Sequence, residues 1–245
     1  VTRIGVDAAP GRARLALVGG AISPRALRVT GTGARVGLVA TTALLLGGDH
    51  IEIDIVVGSG AWLEVIETAG TVAYDAHGVA SSWTVRIAVA DDGVLIWPGE
   101  PFVVSHGANV RRETTVDLGH NAVACLRETL VLGRSGEIGG AVRSTLWVRQ
   151  QGRTLLREDL DLTDPAVRSL PGIIGDARVV DSLALLGMIA PAEPAPVTGA
   201  RFDLDGPGSL ARCLPTTFAA SAIGPISRAW QWAALAQTDV SATTS

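Results

Sequence analysis

Ile51-Glu52-Ile53-Asp54-Ile55-Val56-Val57 places Ile51, Ile53, Ile55 and Val57 on one face of an extended chain and Glu52 and Asp54 on the other. A period of two marks a half-buried β-strand, because successive side chains of a strand point to opposite faces. Trp83, Val85, Ile87 and Val89 repeat the pattern, with Thr84, Arg86 and Ala88 between them. Further strand-like runs lie at 13–18, 36–40, 63–67, 94–97, 114–118, 122–132, 144–149 and 154–162. Turn signals separate them: Gly19-Gly20, Gly47-Gly48-Asp49, Gly58-Ser59-Gly60, Asp91-Asp92-Gly93 and Gln151-Gly152. Short strands with turns at intervals of about ten residues predict a mostly β protein, a large antiparallel multi-stranded scaffold with 58–60 as a hairpin turn.

The last third reads differently. Asp164-Pro165 is an N-cap followed by a first-turn proline, and Pro171-Gly172 ends that helix quickly. Residues 177–189 are apolar on most sides, and Val179 and Val180 favour a strand. Three prolines within 190–196 predict a connector. Behind Pro225, the spacing of Ile226, Ala229, Trp230 and Ala233 predicts a closing amphipathic helix. The expected organisation is one domain over 1–237, a few helices toward the C-terminus, and a disordered tail over 238–245.

Composition excludes several functions. A net charge of -4 and no arginine cluster longer than Arg111-Arg112 argue against nucleic-acid binding. No apolar run approaches the roughly 20 residues of a membrane span, and no charged-then-apolar leader opens the chain, so a cytoplasmic protein is expected. All 20 basic residues are arginine, which removes Schiff-base, P-loop and protein-kinase lysines together. Cys125 and Cys213 are too far apart for a paired-cysteine zinc site and read as packed thiols. His50, His77, His106 and His120 are scattered singly. Ser59 lies in a turn and not in a Gly-x-Ser-x-Gly elbow.

Carboxylates within strands carry the remaining chemistry. Glu64 sits in Trp62-Leu63-Glu64-Val65-Ile66 and Glu128 in Leu126-Arg127-Glu128-Thr129-Leu130. Each is either a solvated charge paired with an arginine, or part of an acidic lining that holds a divalent cation loosely enough to release it.

Two segments together resemble the urease accessory protein UreD family, called UreH in some organisms. The first comprises Leu44-Leu45-Leu46-Gly47-Gly48-Asp49, Gly60-Ala61-Trp62-Leu63-Glu64-Val65 and Thr68-Ala69-Gly70-Thr71-Val72-Ala73-Tyr74. The second runs from Leu95-Ile96-Trp97-Pro98-Gly99-Glu100-Pro101-Phe102 through Gly107-Ala108 to Arg127-Glu128-Thr129-Leu130-Val131-Leu132-Gly133-Arg134 and Gly136-Glu137. Order and spacing carry the resemblance, which spans about residues 13–236. The chain departs from the family's pattern at Ile138-Gly139-Gly140, where an aromatic is usual, and after Tyr74.

The resemblance implies a β scaffold without enzymatic activity, acting with UreF and UreG to deliver nickel to apo-urease. No tightly bound cofactor is expected, only nickel in transit. Asp49, Glu64, Glu128 and Glu137 become candidate passage or docking residues. Gly47, Gly48, Gly133 and Gly136 would permit turns, and Arg134 would pair a carboxylate or cap carbonyls. Two other readings stand beside it. One is a β-sandwich or jelly-roll hydrolase of glycosidic bonds, which needs two carboxylates in an open cleft lined by aromatics. Against it, the chain has 4% aromatics, and Trp62, Trp83, Trp97 and Trp147 read as core. The other is a structural module of a larger assembly.

Overall fold

A computed structural model describes residues 1–192 and 199–241. The strands are β1 (Thr2–Asp7), β2 (Arg14–Val18), β3 (Ile22–Val29), β4 (Gly33–Ala40), β5 (His50–Val57), β6 (Trp62–Glu67), β7 (Thr71–Ala73), β8 (Ser81–Val89) and β9 (Val94–Pro98). They continue as β10 (Phe102–Val104), β11 (Asn109–Leu118), β12 (Val123–Leu132), β13 (Ala141–Gln150), β14 (Arg153–Asp161), β15 (Val179–Leu186), β16 (Gly199–Asp203) and β17 (Gly208–Cys213). Among the described residues two α-helices, α1 (Pro165–Arg168) and α2 (Ile223–Ser241), fall in the last third, with a 3₁₀ turn at Phe218–Ala220 between them. Asp164 caps α1, its carboxylate accepting from the Ala166 and Val167 amides.

One sheet has the order β14-β13-β11-β8-β5-β1-β2, the other β16-β17-β15-β12-β9-β6-β4-β3, with β10 beside β12 and β7 beside β10. From β5 to β13 the chain winds between them: β5, β8, β11 and β13 lie in the first sheet, and β6, β9 and β12 in the second. Strands brought together by this winding are parallel: β1 with β5, β5 with β8, β8 with β11 and β11 with β13, and likewise β4 with β6, β6 with β9 and β9 with β12. The sheets are therefore mixed and solenoid-like, not antiparallel throughout as the turn spacing suggested. Antiparallel pairs are confined to the ends of the winding, as in β1/β2, β3/β4, β13/β14 and β15/β17.

The turns explain the difference. Gly58-Ser59-Gly60 does not close a hairpin; it carries the chain from one sheet to the other. Gly60, Asp92 and Asn121 each stand third after a strand end and share left-handed backbone, with φ of 63°, 57° and 52°. Glycine, aspartate and asparagine enter that region at least cost. The corners stack turn on turn. The Gly60 amide donates to the Asp91 carbonyl at 3.0 Å and the Asp92 amide to the His120 carbonyl at 2.9 Å. The Asp91 carboxylate accepts from the His120 amide at 2.8 Å.

In-register parallel pairing also stacks like positions. Ile53, Val85, Thr114 and Leu146 form one inward row; Ile51, Trp83, Arg112 and Ser144 form the next. Facing rows from both sheets make the main core, which includes Ile53, Leu63, Val65, Val116 and Val148. The second sheet is buried on its other face too, where Val94, Val123, Cys125 and Leu185 pack against Ile223, Trp230 and Ala234 of α2. That accounts for the nearly continuous apolar run of β15, since a strand covered on both faces loses its polar alternation.

Helix α2 begins two residues before Pro225 and extends to Ser241, so 238–241 is helical instead of an unpatterned tail; 242–245 lies outside the described residues. Of the expected connector over 190–196, residues 193–196 also lie outside them. Trp147, read as core, is on the outer face of β13, with Arg149 4.8 Å and Arg157 5.6 Å from its ring centroid. Both cysteines are buried, and burial pushes the Cys125 thiol up to about 12.

Trp230 is fully buried while Trp232, two positions on, is 74% exposed. Trp230→Ala is expected to destabilise the fold by roughly 3–5 kcal/mol and Trp232→Ala by less than about 0.5 kcal/mol, as measured by urea unfolding. Equal effects would place the helix elsewhere than on the second sheet.

Candidate functional site: a polar chamber between the sheets

Strand β12 runs unbroken past an interruption in its neighbour. It pairs with β9 as far as Arg127 opposite Pro98, and with β10 only from Leu130 opposite Phe102. Between them Gly99-Glu100-Pro101 leaves the ladder. Proline has no amide to donate, and a Cβ at Gly99 would stand 2.5 Å from the Arg127 carbonyl oxygen. Glu128 lies on β12 opposite this break.

Polar groups meet there across the two sheets. Arg112 and Thr114 of β11 occupy inward positions that hold Trp83 and Val85 in the preceding strand. Arg112 Nη2 donates to Glu128 Oε1 at 3.0 Å, and Thr114 Oγ1 to the same oxygen at 3.4 Å. A second pair crosses the gap in the opposite sense: Arg212 of β17 donates to both oxygens of Glu158 on β14 at 2.6 and 2.7 Å. Arg212 Nε also donates to Ser182 Oγ at 2.9 Å. On the other side, Glu67 at the end of β6 accepts from Trp97 Nε1 at 2.8 Å and from the Glu100 amide at 3.2 Å.

These side chains enclose a cavity of about 60 Å³. It shares Glu67, Thr71 and Trp83 with a neighbouring cavity of about 180 Å³ that reaches Leu44, Thr68 and Tyr74. On the opposite side it shares Glu128, Glu158, Ser182 and Arg212 with a small void of about 10 Å³. A row of cavities thus runs between the sheets, with carboxylates at each shared wall. Burial pushes the Glu67 carboxyl up to about 7, against the opposing effects of the Trp97 and Glu100 hydrogen bonds and the Arg112 charge.

Of the four carboxylates singled out in the sequence, only Glu128 lines this chamber. Asp49 closes a turn, its Oδ2 accepting from the Leu46 amide at 2.9 Å; Gly48 in that turn has φ of 86°, and a Cβ at Gly47 would meet the Ala76 carbonyl oxygen at 2.7 Å. Glu64 points to the opposite face of β6 from Leu63 and Val65 and pairs with Arg35 of β4 at 2.7 Å. Glu137 organises the loop after β12. It accepts from the amides of His106 and Arg134, each at 3.0 Å, and from Arg134 Nε at 2.9 Å. Those bonds, the Arg134 side chain first, hold its carboxyl down at about 2. Gly133 and Gly136 in the same loop have φ of 83° and 81°.

Among the described residues, no three His, Cys, Asp or Glu side chains come close enough together to hold a metal ion as a group. Glu67, Arg112, Glu158 and Arg212 were not singled out in the sequence. The available signal was polarity on an apolar beat: Arg112 and Thr114 interrupt the alternation of Val110, Val116 and Leu118.

The fold and site define a layered, mostly β protein with a polar chamber between its two sheets. Comparison with known sequences makes the class specific. Residues 11–236 match the family described as UreD urease accessory protein. A urease accessory protein UreD of Streptomyces griseus is 48% identical over 198 residues, covering 81% of this chain and 76% of the relative. One of Frankia casuarinae is 39% identical, covering 77% and 61%, and one of Saccharopolyspora erythraea 34% identical, covering 79% and 72%. The chain belongs to the UreD family, whose members are named accessory proteins and not enzymes. Among the described residues no helix is long and apolar enough to cross a membrane.

A carboxyl held above its unfolded value favours the protonated fold, so its contribution to stability declines as pH rises from about 4.5 to about 7. Glu67→Gln is expected to remove that decline. The variant should gain on the parent by up to roughly 3 kcal/mol across this window, read from denaturant midpoints at stepped pH. Parallel pH profiles for parent and variant would show that Glu67 is not desolvated.

Proposed function

We propose that this chain is a urease-maturation scaffold. It acts in the cytoplasm with UreF and UreG, conveys nickel toward apo-urease and catalyses nothing itself. The observation supporting the reading is the row of cavities with Glu67 at one shared wall and Glu128 and Glu158 at the other. Transit requires ligands that release their ion. Dispersed carboxylates and water do so more readily than clustered thiolates or imidazoles. Glu128 is partly neutralised by Arg112, which further weakens its hold on a cation. A glycosidase site in this chamber loses support on size, because a cavity of about 60 Å³ lies far below the several hundred Å³ typical of small-molecule sites.

The test is a comparison of Glu128→Gln with Glu64→Ala in cells that express urease and its accessory proteins. Glutamine is preferred at 128 because it keeps a hydrogen-bond acceptor for Arg112, which alanine would remove. Glu128→Gln should lower urease activation roughly tenfold while the purified chain, though less stable for the lost charge pair, still folds. Glu64→Ala, on the outer face, should stay near the parent level. A folded Glu128→Gln with full activation would refute the passage reading.

The purified chain should bind Ni²⁺ no tighter than about micromolar, without thiolate charge-transfer absorption, because both thiols are buried. Absorption lost in Cys125→Ala or Cys213→Ala would contradict it.

A further inference from the structure

Arg112 is buried to all but 7% of its surface and lines the chamber. A guanidinium carries five N–H donors in one plane. Arg112 spends Nη2 on a single oxygen of Glu128 at 3.0 Å, while its Nε and Nη1, both buried, have no protein acceptor. Phe102 covers the face of the group, its ring centroid 4.5 Å from the guanidinium carbon, and this leaves the donor-bearing edges free. The neighbouring arginines differ. Arg127 is bidentate on Asp181 at 3.0 and 2.8 Å, and Arg212 bidentate on Glu158.

Burying charged donors without acceptors is costly, so an unmet pair beside a cavity points to a ligand that supplies acceptors. We propose that Arg112 holds a small planar oxyanion with an O–C–O fork in the chamber between the sheets. A planar carboxylate-like group complements the guanidinium fork in shape and charge, which a spherical halide does not. The cavity of about 60 Å³ has room for about four water-sized groups, enough for such an anion and too little for a large one. Thr114 Oγ1 supplies a further hydroxyl beside Glu128. Of the other carboxyls that line the cavity, Glu158 is paired with Arg212, and Glu67 is held toward its neutral form by burial and so repels an anion less than an ionised group would; Glu100 is the remaining acid of the lining.

The inference concerns the purified chain alone and does not depend on nickel transfer. The full chain is melted at pH 7 and constant ionic strength in sodium formate, sodium bicarbonate or sodium chloride, and formate binding is followed separately by the line width of ¹³C-formate. Formate or bicarbonate should raise the melting temperature with saturation, while chloride should not. A shift with one anion only identifies which source the site takes. Arg112→Lys, which keeps the charge but loses the planar fork, should abolish the shift. Glu128→Gln leaves the Arg112 charge uncompensated and should lower the half-saturating concentration about tenfold. If Arg112→Lys fails to fold, Glu128→Gln decides alone. An equal response to chloride, a shift retained in Arg112→Lys, or unchanged or weaker binding in Glu128→Gln would overturn the proposal.

Discussion

Everything distinctive in this molecule depends on the in-register parallel ladder. Once β5, β8, β11 and β13 pair without offset, the side chain at each inward position must lie directly over its counterpart one turn earlier. An apolar row then builds core at every step. A polar residue in the row cannot turn to water without slipping the whole strand, so it must find its partner across the gap between the sheets. Arg112, stacked on Trp83 and Ile51, is in that position, and Glu128 answers it from the other sheet.

The two ion pairs that bridge the sheets are poor sources of stability. Removing an ion from water costs several kcal/mol even after the protein relaxes, and the attraction regained roughly offsets this when the geometry is good. Their effect is better understood as spacing. Arg112 with Glu128 and Arg212 with Glu158 stand between the layers where apolar side chains would interdigitate and close the gap. Asp181 shows what a purely structural buried carboxylate looks like here: Arg127, Thr129 and Ser221 all donate to it, and it is wholly enclosed. Arg112 lacks that saturation.

Strand content was legible because alternation is a local property. Ile51 to Val57 and Trp83 to Val89 can be assigned without knowing what they pair with. Pairing direction was not legible, because a glycine-rich turn serves equally well in a hairpin and in a corner between layers. The deciding feature was recurrence: Gly60, Asp92 and Asn121 fall in left-handed backbone at intervals of roughly 30 residues, but share too little side-chain chemistry to be seen as a repeat. The site was legible in part for the same reason. Glu128 stands out as a charge within an apolar strand, yet so does Glu64, and only the pleat, which turns Glu64 outward to Arg35, separates them. Glu67 lies at a strand end, where a carboxylate attracts no notice until Trp97 and the Glu100 amide close over it.

A chamber of this kind persists only if its walls resist collapse, and the two sheets resist it by different means. The second sheet is clamped from outside by α2, whose Ile223, Trp230 and Ala234 seal the apolar outer face of β9, β12 and β15. Among the described residues the first sheet has no such cover. Its outer face carries cross-strand ion pairs instead, with Arg3 and Arg86 on Asp54, Arg149 on Asp117 and Arg143 on Asp159. Surface pairs of this sort add little energy each, but they keep that face hydrated and leave the apolar side of every strand no alternative to the interior. Two-sided burial of one layer and a solvated back on the other hold the sheets in register, which leaves the polar row of β11 facing β12 across an interior that side chains do not fill.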